Sequence, residues 1–236
     1  MNTDMASRKR DARVAGLLYL LMAVASVVSF SILPASNLVG ADAAALVETI
    51  ASSQLRYRIG VLTELAAQIL SVFAVLALYD LLKDVNKRQA VLLVVLSLVS
   101  TSMSFVNMLL GVGPLVLLSG ADYLAPFDER QLDALAMGFL TLRSYGIGAQ
   151  MAMFGLVLVP FGSLVFRSGF IPKILGVLLI VGCFPYLAVS VTSLLFPASA
   201  RAVSRLLVLG VGEILIILWL LCVGVQTRPL EDRRAT

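Results

Sequence analysis

The chain has 236 residues, of which 60% are hydrophobic and 14% charged, and its mean hydropathy is +0.99. A soluble domain is far less apolar, and this composition predicts several segments able to cross a hydrocarbon core of about 30 Å. The net charge of +4 comes from short basic clusters beside apolar segments, a pattern typical of membrane orientation signals. We therefore expect a single membrane domain over residues 1–236 whose main partner is the lipid bilayer, and no nucleic-acid partner.

Six apolar segments predict an all-α bundle of six transmembrane helices. The first segment follows a basic head and reaches a full spanning length without a small-residue cleavage site behind it, so we interpret it as a retained helix and not a signal peptide. Gly111, Gly113 and Pro114 are expected to loosen the third helix before the loop that follows it. The predicted spans are residues 14–33, 59–82, 90–111, 146–166, 174–195 and 206–225.

Two further segments predict amphipathic helices that lie at the membrane surface. The first covers residues 41–54, where apolar side chains recur at helical spacing. The second covers residues 128–142, where Asp128 and Gln131 have the spacing of an N-cap pair that opens a helix. This second helix is predicted to continue into the fourth span. The apolar face of the first is formed by Leu46, Val47, Ile50 and Ala51.

The distribution of basic residues predicts the orientation of the bundle. With six spans both termini lie on the same side, and twelve Lys and Arg residues fall near that side against five near the other. Since basic residues are enriched in cytoplasmic segments, both termini are expected to be cytoplasmic.

Four stretches of the sequence resemble the bacterial membrane family DUF4386, a domain of unknown function. The most extensive is GSLVFRSGFIPKILGVLL, from Gly162 to Leu179. The others are RVAGLLYL from Arg13 to Leu20, LYDLLKDVNK from Leu78 to Lys87, and Glu213 followed by WLL at residues 219–221. The resemblance implies a multi-pass protein of the bacterial cytoplasmic membrane. It implies no activity and no catalytic residue.

Polar side chains inside the predicted spans are the best functional candidates. An ionisable side chain at the middle of a membrane helix costs roughly 2.5–3.5 kcal/mol, so such a residue is expected to have a partner, a proton or water. Counting about 1.5 Å per residue places most of these side chains in the outer half of the bilayer. We predict a pocket that opens to the periplasmic side, in which one arginine neutralises one of two glutamates. The predicted ligand-binding residues are Glu64, Gln68, Asn107, Arg143, Gln150 and Glu213.

A structural interpretation of the same residues stays open. Ser97, Ser100, Ser104 and Asn107 form one helical stripe, and small polar residues are the common packing surface between membrane helices. Arg143 and a glutamate could likewise form a static buried ion pair. The helical period also places Arg143, Gly146 and Gln150 on one face of the fourth span, and Glu64 and Gln68 on one face of the second.

The residue inventory restricts the chemistry. The chain has no histidine, which excludes histidine-ligated haem, histidine-based zinc sites and Ser-His triads. No lysine lies inside a predicted span and no phosphate-binding glycine loop occurs. We therefore expect no catalytic residue, no metal and no cofactor.

Three functions remain at this stage. The first is a non-enzymatic protein that binds or transports a small or amphiphilic ligand, with proton coupling through Glu213, although the repeated broken helices of secondary transporters are not evident. The second is a structural or accessory subunit that binds other membrane proteins or further copies of itself. The third is a lipid-modifying enzyme with Glu64 or Glu213 as general acid or base, for which we find no accompanying nucleophile.

Overall fold

The fold is seen in a computed structural model that describes residues 2–33, 43–196, 199 and 203–225. These residues form helices and no strand, which confirms the all-α prediction. A 3₁₀ helix, Ser204–Gly210, leads directly into the last α-helix. The α-helices are α1 Asn2–Ile32, α2 Ala43–Ser52, α3 Gln54–Leu82, α4 Lys87–Leu117, α5 Glu129–Ser168, α6 Lys173–Leu195 and α7 Val211–Cys222.

Among the described residues, six helical segments are long and apolar enough to cross a membrane, as predicted. They are α1, α3, α4, α5, α6 and the continuous segment Ser204–Cys222, and they pack as a ring in that order, with α7 contacting α1. We call the end at which α1 begins and α7 ends the basic end. There, Arg8 donates a hydrogen bond of 3.1 Å to Asp84, just beyond the end of α3. At the same end, the hydrogen bond that the Lys83 ammonium donates to the Asp80 carboxylate raises the pKa of Lys83.

The outer surface of the ring is apolar and its helix contacts use small residues. On α1, Leu17, Leu21 and Val24 are each between 45 and 53% exposed, whereas Ala12 and Ala15 are completely buried. This arrangement is the reverse of a soluble helix, because lipid solvates large apolar side chains while small ones let helices approach.

The interior of the ring differs between its two ends. Toward the basic end it is filled by apolar side chains, and Leu82, Leu164, Ile216 and Leu220 are each at most 1% exposed. Toward the opposite end the interior is polar. The candidate site lies in this polar half.

The stretch from Gly162 to Leu179 is the hairpin between α5 and α6. Gly169 ends α5 in the left-handed conformation, with φ of 73°, and Pro172 precedes the first residue of α6. A Cβ atom on Gly162 or on Gly176 would lie 2.6 Å from the carbonyl oxygen of the other residue. Glycine at both positions therefore permits the backbones of α5 and α6 to touch.

Helix α2 packs differently from the prediction. Val47 and Ile50 are each 3% exposed because α2 lies against α3, α4 and α5 at the end opposite the basic end. Ile50 belongs to a cluster with Tyr57 and Leu140. Val47 and Ile50 are thus covered by protein, whereas Ala51 is exposed. The predicted helix start at residues 41 and 42 lies outside the described residues.

Two helix ends also differ from the prediction. Helix α4 continues through Pro114 to Leu117, although a proline inside a helix lacks the amide hydrogen and its ring crowds the carbonyl four residues earlier. The Tyr57 hydroxyl donates a 2.7 Å hydrogen bond to the Gly111 carbonyl, three residues before this proline. The last span begins as a 3₁₀ helix and its α-helical part ends at Cys222. By contrast, the predicted capping box of Asp128 and Gln131 is confirmed at the start of α5.

Candidate functional site

An ion pair between α3 and α5 lies at the centre of the candidate site. Nη2 of Arg143 is 2.9 and 3.1 Å from the two carboxylate oxygens of Glu64, and the two side chains are 6% and 14% exposed. Nη1 of Arg143 donates to the backbone carbonyl of Asn107 on α4 at 3.2 Å. The prediction that Arg143 neutralises one of the glutamates is confirmed, and that glutamate is Glu64.

A hydrogen-bonded chain extends from Asn107 along α4. Nδ2 of Asn107 donates to Oε1 of Gln150 at 2.9 Å, and Nε2 of Gln150 donates to Oγ of Ser104 and to the Ser100 carbonyl, the latter at 3.3 Å. The serine stripe therefore supplies acceptors to α5 in addition to packing against it. Among the described residues, the buried hydroxyl of Ser100 has no hydrogen-bond partner.

Two glycines provide the space that these polar side chains occupy. A Cβ on Gly111 would lie 2.5 Å from Nη1 of Arg143, and a Cβ on Gly146 would overlap Oδ1 of Asn107. Because Arg143 and Gln150 both bond to α4 and Gly146 contacts it, the predicted polar face of α5 is confirmed.

The ion pair borders a cavity of about 50 Å³. Side chains from α1, α3, α4 and α5 line it, including Glu64, Gln68, Arg143 and Gln150. Within the described part of the chain, the Gln68 side-chain amide makes no hydrogen bond, so its donors and acceptor remain available. A buried water needs about 10–15 Å³ of such cavity volume, so this cavity has room for several waters or for a small polar group.

Glu213 lies in a different part of the bundle. Its two carboxylate oxygens accept hydrogen bonds of 2.7 Å from the hydroxyls of Tyr19 on α1 and Tyr186 on α6. It is absent from the cavity lining, so the prediction of one pocket shared with Arg143 is wrong for Glu213.

The end of α7 accounts for only part of this error, because it moves Glu213 by about 4.5 Å. The sequence-based count began at residue 225, whereas the helix ends at Cys222. At 1.5 Å per residue, Glu213 is about 14 Å from that end, while Glu64 is about 27 Å from Leu82 at the end of α3. The two carboxylates thus lie at different depths measured from the basic end.

Tyr19 and Tyr186, the hydrogen-bond partners of Glu213, were not among the predicted residues. A buried tyrosine hydroxyl normally has a hydrogen-bond partner, so a tyrosine within an apolar span signals a polar group nearby. This signal was present for both residues, but spacing along the chain does not show which span faces which.

The described residues contain no group of three or more potential metal ligands of the Cys, Asp and Glu types. The hydroxyls nearest the ion pair donate to or accept from helix partners, as Ser104 does with the Ser100 carbonyl at 3.3 Å. The arrangement can therefore bind a polar group by charge and hydrogen bonding.

A family model described as "Domain of unknown function (DUF4386)" matches residues 14–224. The chain belongs to the DUF4386 family. No curated protein and no solved structure matches it.

Two of the stretches that resembled DUF4386 in sequence meet in space. Tyr19, within Arg13–Leu20, donates its hydrogen bond to Glu213 of α7 across 194 positions of the chain. A third stretch forms the α5–α6 hairpin described above. In this DUF4386 protein these stretches therefore form helix contacts, whereas the cavity is lined mainly by residues outside them.

Proposed function

We propose that this DUF4386 protein binds a small polar group without net charge in the cavity beside Glu64 and Arg143. The observation that carries the proposal is a buried ion pair whose two members both border an open space. A purely structural ion pair is stabilised by close packing and requires no cavity beside it.

Both members of the pair retain hydrogen-bonding capacity. A guanidinium group has five N–H donors and a carboxylate has about four acceptor positions. Arg143 uses three contacts, two to Glu64 and one to the Asn107 carbonyl, and each carboxylate oxygen of Glu64 has one contact. The remaining donors and acceptors, together with the Gln68 amide, are able to bind a ligand.

The charge of the site favours a zwitterionic or dipolar group. Glu64 and Arg143 are the two charged residues of the lining and they cancel. A ligand with net charge would leave an uncompensated charge in a low-dielectric interior, which costs several kcal/mol. A zwitterion keeps the site neutral while contacting both members of the pair.

Binding is favoured over transport because the interior below the cavity is closed. Leu82, Leu164 and Ile216 fill the ring between the cavity and the basic end. We place the protein in the bacterial cytoplasmic membrane with its basic end in the cytoplasm, on the distribution of its Lys and Arg residues. The cavity would then lie in the periplasmic half.

Native mass spectrometry of the full chain in mild detergent tests the proposal. We expect a species bound at one copy per chain, retained about three- to tenfold less by Gln68→Met, because one hydrogen bond is lost. The matched control is Gln89→Met at the start of α4, outside the cavity. Absence of a bound species from the wild-type protein, or equal retention by the two variants, would refute the proposal.

A further inference from the structure

Two residues of the cavity lining have aromatic side chains that are exposed on membrane-spanning helices. Phe30 on α1 is 57% exposed and Phe154 on α5 is 36% exposed, while every other lining residue is buried or half-buried. Phe154 is about 21 Å from the end of α5 at Ser168, counting 1.5 Å per residue, a depth within the hydrocarbon core. Helix α2 covers α3, α4 and α5 at the end of the ring. An opening between these two side chains would face the bilayer, between the depth of Phe154 and that of Phe30, which lies two residues before the end of α1.

The size of the cavity restricts which part of a ligand enters. Pockets that enclose a drug-sized molecule measure about 300–1,000 Å³, several times the volume of this one. At about 50 Å³, it accepts one small polar headgroup and not a whole drug-sized molecule. The rest of the ligand must remain at the opening, beside Phe30 and Phe154, where the surroundings are apolar.

The polar groups specify the chemistry of that terminal group. The free acceptor positions of Glu64 match a primary ammonium, which has three donors, and the free donors of Arg143 match a phosphate. A quaternary ammonium has no N–H donor and is bulkier. A headgroup with net negative charge would leave the site charged.

Resting on the proposed function, we infer that the ligand is a phospholipid with a small zwitterionic headgroup, of the phosphatidylethanolamine type, which enters from the bilayer between Phe30 and Phe154. Its ammonium contacts Glu64, its phosphate contacts Arg143, and its acyl chains lie against the two phenylalanines. Ser26, which also lines the cavity, lies on α1 one turn before Phe30.

A lipid competition experiment with the wild-type chain tests the headgroup. Delipidated protein in detergent is mixed with equal amounts of dioleoyl phosphatidylethanolamine, phosphatidylcholine and phosphatidylglycerol, and the bound lipid is identified by native mass spectrometry. We expect retention of phosphatidylethanolamine at least about tenfold above phosphatidylglycerol, because the latter leaves an unpaired charge. Equal retention of the three lipids, or preference for phosphatidylglycerol, would overturn the inference.

A soluble competitor separates this inference from the proposed function. Glycerophosphoethanolamine has the same headgroup without acyl chains, and we expect it not to displace the lipid at equal concentration. Displacement as effective as that by the lipid itself would overturn entry from the bilayer and leave binding of a zwitterion in place. The proposed function itself would fail on a different result, namely that the wild-type protein and Gln68→Met retain the same amount of bound species.

A pair of variants tests the opening. Ser26 and Ser31 both lie on α1 and both donate to a carbonyl four residues earlier, but only Ser26 lines the cavity. Ser26→Trp is expected to reduce phosphatidylethanolamine retention about tenfold by filling the opening, while Ser31→Trp keeps it. Equal retention by the two variants at matched melting temperatures would contradict the inference. If Ser26→Trp does not fold, the wild-type competition decides.

Discussion

The two carboxylates inside the ring are stabilised in different ways. Glu64 is paired with a guanidinium, keeps unused acceptor positions and borders a cavity. Glu213 has no cation among its hydrogen-bond partners and uses both oxygens to accept from tyrosine hydroxyls on two other helices. The hydrogen bonds of Glu64 leave acceptor positions free for a ligand, whereas those of Glu213 connect α1, α6 and α7. An ionisable residue in a membrane helix is therefore a functional candidate only after its partners are known.

The position of Glu213 in its helix adds to this difference. It lies in the first turn of α7, directly after the 3₁₀ helix Ser204–Gly210. Two hydroxyl donors stabilise the carboxylate without an ion pair. Glu64 lies within the interior of α3, far from either helix end, and depends on Arg143.

The largest effect should come from breaking the ion pair on one side. Arg143→Met leaves Glu64 buried without its cation, and we expect the free energy of unfolding in detergent to fall by about 3–5 kcal/mol. Adding Glu64→Gln to that variant should restore most of the loss, because no charge then remains unpaired. If the double variant were as unstable as the single one, the Glu64 charge would not be the cause.

A smaller loss is expected at the second carboxylate. Tyr19→Phe keeps the aromatic side chain but removes its hydroxyl and thus one hydrogen bond to a charged group. We expect the free energy of unfolding to fall by about 1.5–3 kcal/mol. Tyr123→Phe is the matched control, since Tyr123 is 65% exposed. Retention of the bound species in native mass spectrometry should not change in either variant. Loss of ligand on Tyr19→Phe at unchanged stability would show that the two sites are not separate.

The smallest effect is expected from adding a methyl group beside each of the two carboxylate sites. Gly111→Ala places a methyl group 2.5 Å from Nη1 of Arg143, whereas Gly210→Ala places one no closer than 3.8 Å to its neighbours near Glu213. The flexible end of Arg143 can yield, so we expect a loss of about 1 kcal/mol together with weaker ligand retention. Gly210→Ala should leave both the melting temperature and retention unchanged. Equal behaviour of the two variants would show that the sites are equally tolerant.

The features that could be predicted from the sequence are those that depend on one helix alone. Hydropathy and length identify the six spans, and the helical period places Arg143, Gly146 and Gln150 on one face. The partner of Glu213 was not predictable, because it depends on the order of helices in the ring, and α7 meets α1 from the far end of the chain. The burial of Val47 and Ile50 on α2 was not predictable for a similar reason. A periodic apolar stripe does not show whether protein or membrane will cover it.

Closure of the ring by α7 has a consequence for biosynthesis. A Cβ on Gly16 would lie 2.9 Å from the Cβ of Leu220, so α1 and α7 approach closely along their backbones. Helix α1 enters the membrane first, yet its contact surface for α7, and the hydroxyl of Tyr19, gain their partner only after the other five spans have been synthesised. During translation the surface of α1 that contacts α7 therefore remains without its partner. The docking of α7 against α1 joins residues far apart in the chain, and contacts of this kind slow folding.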